Sequence, residues 1–366
     1  MSLKVAIVGC GKIADGHVEE IQKLPSLGRV VACCDLEPLM AEQLASRYAI
    51  PRSYSDFDAM LERERPDVVH VTTPPGPHLA LTTRALEAGC HVYVEKPLTL
   101  RHADAEELVR RVEAAGKKMT IGYTYLFDPP ALAMRELIGE GVLGEPVHVE
   151  SYYGYNLAGP FGKALLGDAS HWVHGLPGKL FHNNIDHMLY KMMEHLPDAR
   201  PALFATSAVR RAERFGDRRD DMHDELRVLL QGQSVTGYGM FSSHARPALH
   251  LVRVHGTKNT LEVDYTSRTV TVQSSPKLPS AIGRIVPAFE TALAFAREGA
   301  KNVVRFAKAD YHFFSGLSHL IAAFYRSVRE GGPLPISYAD MLRISWMMDG
   351  IFEQLGQGRA PSEVTS

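Results

Sequence analysis

A chain of 366 residues with 45% hydrophobic and 22% charged side chains is long enough to fold as two domains and has the make-up of an ordinary globular protein. Its 40 basic and 42 acidic residues leave a formal net charge of -2, which offers no field to nucleic acid or to an acidic membrane surface, and no apolar run is long enough to span a bilayer. The sequence enters a strand almost at once, so a signal peptide is not expected and a cytoplasmic location is. Cys10, Cys33, Cys34 and Cys90 show neither a disulfide framework nor metal-ligand spacing, and buried, reduced thiols are expected.

Val5 to Ala14 reads VAIVGCGKIA, a β-branched strand running into a GxGxxA turn and a helix. In a dinucleotide-binding unit Gly9 makes the turn, Gly11 lets the backbone approach a pyrophosphate, and the small Ala14 lets helix and strand pack closely. Lys12 and Ile13 belong to that turn, helix-like sequence follows from His17, and the helix N-terminus faces the phosphate with free N–H groups and a positive dipole end. A second strand, Val30 to Cys34, ends at Asp35, close to the spacing of about 20 residues expected of the carboxylate that holds the ribose 2′-OH. The alternative is that Asp35 starts a turn before Pro38. A helix over Pro38 to Tyr48 and a shorter one around Met60 and Leu61 follow. Strand Asp67 to Val71 then runs into Thr72, Thr73, Pro74, Pro75, Gly76, Pro77 and His78. So many breakers at a parallel strand's carboxyl end mark a ligand loop, with Thr73, Pro74 and His78 expected to line a cofactor.

Helix Leu79 to Ala88, strand His91 to Val94, helix His102 to Ala115 and strand Met119 to Gly122 complete a strict alternation. Residues 1–125 are therefore expected to form a doubly wound parallel α/β sheet. Residues 126–366 read differently. Helix Pro130 to Ile138 and strand Val147 to Tyr155 lead to a Gly-rich aromatic loop through Trp172 and Pro177, and to one helix-length segment, Lys179 to His195. Closely spaced strands follow at Ala202 to Arg210, Glu225 to Leu230, Ser234 to Phe241, Leu249 to His255, Thr260 to Val263 and Thr269 to Gln273. Turn signals at Gly232 and at Gly256 to Asn259 predict a mainly antiparallel sheet. Helices are expected at Arg284 to Arg297, Asn302 to Ala307, His312 to Arg329 and Tyr338 to Leu355, with a frayed tail after Gly356. No internal repeat is visible.

Two clusters carry chemistry. Lys96 stands at the end of a strand, beside Glu95 and before Pro97. Desolvation there lowers an ammonium pKa toward the range of proton transfer, and the charge steadies a developing alkoxide; the plainer alternative is an exposed lysine paired with Glu95. The second is HNNIDH, residues 182–187. On a helix His182 and Asp186 share one face, and Asn183 and His187 the next. A histidine here can take a hydroxyl proton, or serve with its neighbours as a cap and a buried core polar group. His182, Asp186 and His187 do not converge as ligands, and no metal is expected. Tyr123, Tyr125, Tyr152, Tyr153, Tyr155 and Trp172 are expected to be mostly core, though aromatic side chains also stack on sugars.

GCGKIA, Asp35, TTPPGPH, ALEAGCHVYVEKPL, GYTYLFDP and GEP together resemble the glucose-fructose oxidoreductase / inositol dehydrogenase / MocA family across nearly the whole chain, with the EKP triplet at Glu95 to Pro97 the most specific element. The resemblance implies a Rossmann domain followed by an α/β domain whose open, mostly antiparallel sheet serves as the oligomer interface, giving a homo-oligomer such as a dimer or tetramer. It implies NAD or NADP, held by Gly9, Gly11, Lys12, Ile13, Asp35, Thr73, Pro74, His78, Glu95 and Lys96, and a sugar or cyclitol held between the domains. By position Lys96 matches the active-site lysine, and Asp35 favours NAD over NADP. The family's aspartate and histidine, four apart, fall on HNNIDH in two registers; the one that keeps the histidine in place assigns catalysis to His187 with Asn183, leaving Asp186 in reserve. Thr124 and Leu126 replace a frequent asparagine and arginine. What is implied is an NAD-dependent dehydrogenase of a secondary hydroxyl. The alternatives are an NAD-retaining lyase or glycosidase that oxidises transiently, and a dinucleotide-binding regulator without activity.

Overall fold

The computed structural model describes residues 2–168, 170–210, 222–274, 279–308, 310–312 and 314–356. The tail beyond Gly356, expected to fray, lies outside them. The chain divides into two compact units, Met1–Thr124 with Gly316–Trp346, and Tyr125–Ser315 with Met347–Ser366.

In the first unit strands β1 (Leu3–Val8), β2 (Gly28–Cys34), β3 (Ser53–Tyr54), β4 (Val68–Val71), β5 (His91–Val94) and β6 (Met119–Ile121) alternate with helices α1 (Lys12–Gln22), α2 (Pro38–Tyr48), α3 (Phe57–Glu64), α4 (His78–Glu87) and α5 (His102–Ala114). The strands pair in parallel in the order β3-β2-β1-β4-β5-β6. Short Val-rich runs form them because helices cover both faces, so successive residues such as Val5, Ala6 and Ile7 are all buried. The order reverses between β1 and β4, and in a doubly wound sheet the ligand crevice opens at the carboxyl ends of the strands at that switch. Local chemistry sets the helix starts: Pro38 occupies the first turn of α2, and the Asp56 carboxylate accepts the N–H groups of Asp58 and Ala59 at the head of α3. The four cysteines are free and buried.

In the second unit α6 (Pro129–Gly139) precedes β7 (Pro146–Gly154), and α7 (Pro160–Gly167), α8 (Lys179–Asn184) and α9 (Asp186–Met193) lead to β8 (Ala202–Ala208), β9 (Glu225–Gln231), β10 (Thr236–Ser242), β11 (His250–Gly256), β12 (Asn259–Asp264) and β13 (Thr269–Ser274). These strands form a seven-stranded sheet ordered β13-β12-β11-β7-β10-β9-β8, in which β7 and β10 pair in parallel and the other neighbours antiparallel. Burial alternates along the central strands, with Val149, Val228, Val252 and Leu261 buried on one face. On the other, the Arg253 guanidinium reaches Glu262 at 2.6 Å and Glu150 at 3.1 Å, while Phe204 and Leu229 lie exposed. The chain ends with α10 (Ser280–Ala307), α11 (Ser315–Glu330) and α12 (Tyr338–Gln354).

Two expectations are corrected. The segment Lys179 to His195 is two helices, because the Asp186 carboxylate accepts the His187 N–H at 2.8 Å and so competes with the helical ladder at that turn. The helices expected at Arg284 to Arg297 and Asn302 to Ala307 are one continuous element, α10; the Gly299 between them costs a helix only about 1 kcal/mol and does not interrupt it. Among the described residues no helix is long and apolar enough to cross a membrane.

Candidate active site

The turn between β1 and α1 is shaped by Gly9, whose φ of +92° lies in the left-handed region and whose Cβ, were there one, would stand 2.7 Å from the Thr73 backbone nitrogen. Gly11 is the N-cap of α1 and contributes no side-chain hydrogen bond, so the N–H groups at the start of the helix have no capping side chain over them. Lys12 is exposed and Ile13 half-buried at that helix start. Asp35, at the carboxyl end of β2, accepts the Cys10 N–H at 2.7 Å on one oxygen and the Glu37 N–H at 3.0 Å on the other. Each oxygen retains capacity for a further donor, as a ribose hydroxyl would require.

The loop after β4 is tied to this turn. The Thr72 hydroxyl donates to the Gly9 carbonyl at 2.6 Å, and the Thr73 hydroxyl oxygen is buried without a hydrogen-bond partner. An orphaned buried hydroxyl beside an uncapped helix start and a glycine-only turn fits a bound dinucleotide. Pro74 is exposed on the same loop. His78 sits behind it, fully buried, with Nε2 3.0 Å from the Thr73 carbonyl and Nδ1 2.9 Å from that of Pro97. Both ring nitrogens face backbone carbonyls, which only accept, so a neutral His78 donates to one of them and packs against the other, joining the cofactor loop to the Pro97 turn. Burial lowers its pKa against those carbonyls, which act the other way.

Lys96 is half-buried at the carboxyl end of β5. Glu95 before it is buried, and Gly122 makes room for it, since a Cβ there would lie 2.6 Å from the Glu95 Oε1. Glu95 accepts the Lys96 N–H at 3.2 Å and meets His17 Nε2 at 3.0 Å. Behind His17 the chain of contacts continues to His70, at 2.7 Å between the two Nδ1 atoms, and from His70 Nε2 to the Tyr325 hydroxyl at 2.8 Å.

In the second unit, α8 and α9 sort the HNNIDH residues by burial. His182 and Asp186 are buried, His182 stacked on Phe352 at 5.1 Å, whereas Asn183 and His187 are half-buried. The His187 Nδ1 lies 3.0 Å from the Tyr190 hydroxyl, and its ring packs against Tyr125 at 5.1 Å and Tyr153 at 4.9 Å. Burial, and then nearby anions that include Asp186, push the Tyr125 and Tyr190 phenols up, so both remain neutral donors. His250 stacks on Tyr265 at 4.7 Å and its buried Nε2 has no hydrogen-bond partner. Lys191, one helical turn beyond His187, is fully buried over the Tyr265 ring at 4.9 Å, and burial holds its pKa well below the usual ammonium range, against the opposing pull of Asp264. His171 and His174 are occupied locally, by the Val173 N–H and the Leu165 carbonyl. Among the described residues no group of three or more His, Cys, Asp or Glu side chains is arranged to hold a metal ion.

Sequence reasoning passed over His250, Lys191 and Tyr265. Lys191 left a trace, a cation four residues from His187 on an otherwise apolar helix; His250 and Tyr265 left none, because β11 and the residue after β12 reach the cluster only through sheet pairing.

Residues 3–123 match the family model described as an oxidoreductase family with an NAD-binding Rossmann fold. Across these residues, about a third of the chain, it is similar to the Gfo/Idh/MocA oxidoreductase family. Proteins similar to it include the D-glucoside 3-dehydrogenase of Escherichia coli K12, 36% identical over 143 residues, which are 39% of this chain and 41% of that protein. The inositol 2-dehydrogenase of Salmonella typhimurium LT2 is 30% identical over 158 residues, 43% of this chain and 47% of that one. The chain thus spans less than half the length of these two relatives. An oxidoreductase from Agrobacterium radiobacter, solved with NAD+, L-tartaric acid and magnesium, superposes with a TM-score of 0.76 at 19% identity and covers 98% of both chains, a likeness of fold.

Proposed function

We propose that the chain is an NAD-dependent oxidoreductase that moves a hydride between the nicotinamide and a secondary hydroxyl of a sugar, sugar derivative or cyclitol. The observation that carries this reading is the glycine-only turn at Gly9 opening onto the uncapped start of α1, within a domain that matches an NAD-binding family. The dehydrogenase names of the partial relatives support the substrate class. A carboxylate at Asp35 accepts ribose hydroxyl hydrogen bonds and repels a 2′-phosphate, which supports NAD over NADP.

Bound NAD supplies the hydride acceptor. In this reading Gly9, Gly11, Lys12, Ile13, Thr73 and Pro74 line it, while Glu95 and His78 hold the loops in place from behind. Lys96 orients the substrate hydroxyl and lowers the cost of its alkoxide. His187 accepts the hydroxyl proton as the C–H electron pair leaves with the hydride and the carbonyl forms. Asn183, half-buried one turn earlier, positions the hydroxyl, and Asp186 fixes the His187 backbone through its N–H. We further propose self-association of the second unit, Tyr125–Ser315 with Met347–Ser366, through the outer face of its sheet.

The test is absorbance at the reduced-nicotinamide band with NAD and a panel of sugars, sugar acids and inositols, with Lys96→Ala and His187→Ala as controls. A substrate-dependent signal lost by about 10²-fold or more in each variant supports the assignment. Consumption of substrate without lasting NADH indicates transient oxidation instead, and tight NAD binding with no turnover indicates a regulator.

A further inference from the structure

Helix α10 runs 28 residues, about 42 Å at the α-helical rise, and its amphipathicity is inverted. Its polar side faces its own unit: Glu298 is buried and accepts the Val270 N–H at 3.3 Å, and the Asn302 amide donates to the Ser267 carbonyl at 2.9 Å. Its apolar side faces outward, with Ile282, Ile285, Phe289, Leu293, Val303 and Phe306 each half or more exposed. An outward apolar stripe of this length on a surface helix needs a partner.

We infer that this face pairs with the same helix of a second copy of the chain, antiparallel about a two-fold axis beside Ala294. Ile282, Phe289, Ala296 and Val303 recur every seven residues, as do Ile285, Ala292, Gly299 and Phe306, the spacing of a helix-pairing seam. The order of sizes along the seam is self-complementary when reversed. Ile282 meets Phe306 of the other copy, Ile285 meets Val303, Ala292 meets Ala296, and Phe289 enters the hollow at Gly299, where no atom lies within 4 Å of the Cβ position. The exposed apolar side chains of α10 offer roughly 700 Å² per copy, close to the ~800 Å² per partner of a standard stable interface. A lipid surface would not require the hollow at Gly299.

The inference does not depend on the proposed activity, and its test reads mass rather than turnover. Light scattering on the full chain at micromolar concentration should give an assembly whose mass falls about twofold in Phe289→Glu/Leu293→Glu. Gly299→Leu should do the same by filling the hollow while keeping a cooperative thermal transition, and it decides the matter if the first variant fails to fold. A monomeric wild type, or a mass unchanged in Phe289→Glu/Leu293→Glu and Gly299→Leu, overturns the inference. So does binding to phosphatidylserine-containing vesicles that those variants abolish while the mass stays fixed.

Discussion

The Nδ1 atoms of His17 and His70 lie 2.7 Å apart with both rings fully buried, so one must donate and the other accept. The ends of the chain fix the direction. The Glu95 carboxylate accepts from His17 Nε2, which leaves His17 Nδ1 to accept from His70, and His70 Nε2 to accept from the Tyr325 hydroxyl. Burial, together with His17, holds the His70 pKa well below its usual value, consistent with a neutral ring. Nitrogen-15 chemical shifts should report an Nδ1–H tautomer for His70 and an Nε2–H tautomer for His17. His70→Phe strands two buried polar atoms and should cost about 2–5 kcal/mol in urea unfolding, against roughly 1–2 kcal/mol for Tyr325→Phe.

Gly9 and Gly11 should separate folding from cofactor binding. Gly9→Ala meets both a positive φ and the Thr73 backbone, so it should lower the melting temperature as well as abolish NAD binding. Gly11→Ala enters open space at a φ of −73° and should leave the fold intact. Calorimetric titration with NAD should then show at least a tenfold loss of affinity in a protein of unchanged stability.

Asp35 should set the choice of dinucleotide. Asp35→Ser removes the charge that opposes a 2′-phosphate and keeps a short polar side chain for the turn. The ratio of NAD to NADP affinity should fall by about tenfold or more, which is 1.4 kcal/mol of discrimination. An unchanged ratio would remove Asp35 from the adenosine-ribose site.

Lys191 should reveal itself in alkaline unfolding. Its folded pKa lies far below 10.5 while the unfolded chain keeps the usual value, so between these limits the unfolded state binds the extra proton and stability rises with pH. Lys191→Met should raise the urea midpoint at pH 7 and flatten its rise between pH 7 and 10. A steeper profile in the variant would contradict a desolvated amine.

The parallel sheet was legible in the sequence because each strand is a short β-branched run buried on both faces and each ends in breakers. The turn at Gly9 was legible for a related reason, since only glycine tolerates its backbone. What escaped was everything set by contacts distant in the chain. His70 reads as an odd polar residue in an apolar strand until Tyr325, 255 residues on, supplies its partner. The break at Ile185 escaped because it rests on one side chain capturing a neighbouring N–H, a choice that periodicity does not record. The apolar seam of α10 has the pattern of a core helix, and sequence alone does not say that its polar side is the one facing home.

His78 makes the Thr73 loop and the Pro97 turn one mechanical part. Its ring lies between carbonyls of the two segments, just beyond the point where the pairing of β4 with β5 ends at the Glu95 N–H and the Val71 carbonyl. Fluctuations of the two segments are therefore correlated, and a ligand that immobilises either one quiets the other at little additional entropic cost. Cofactor contacts on the first loop would in this way stiffen the backbone that carries Lys96, before any substrate arrives.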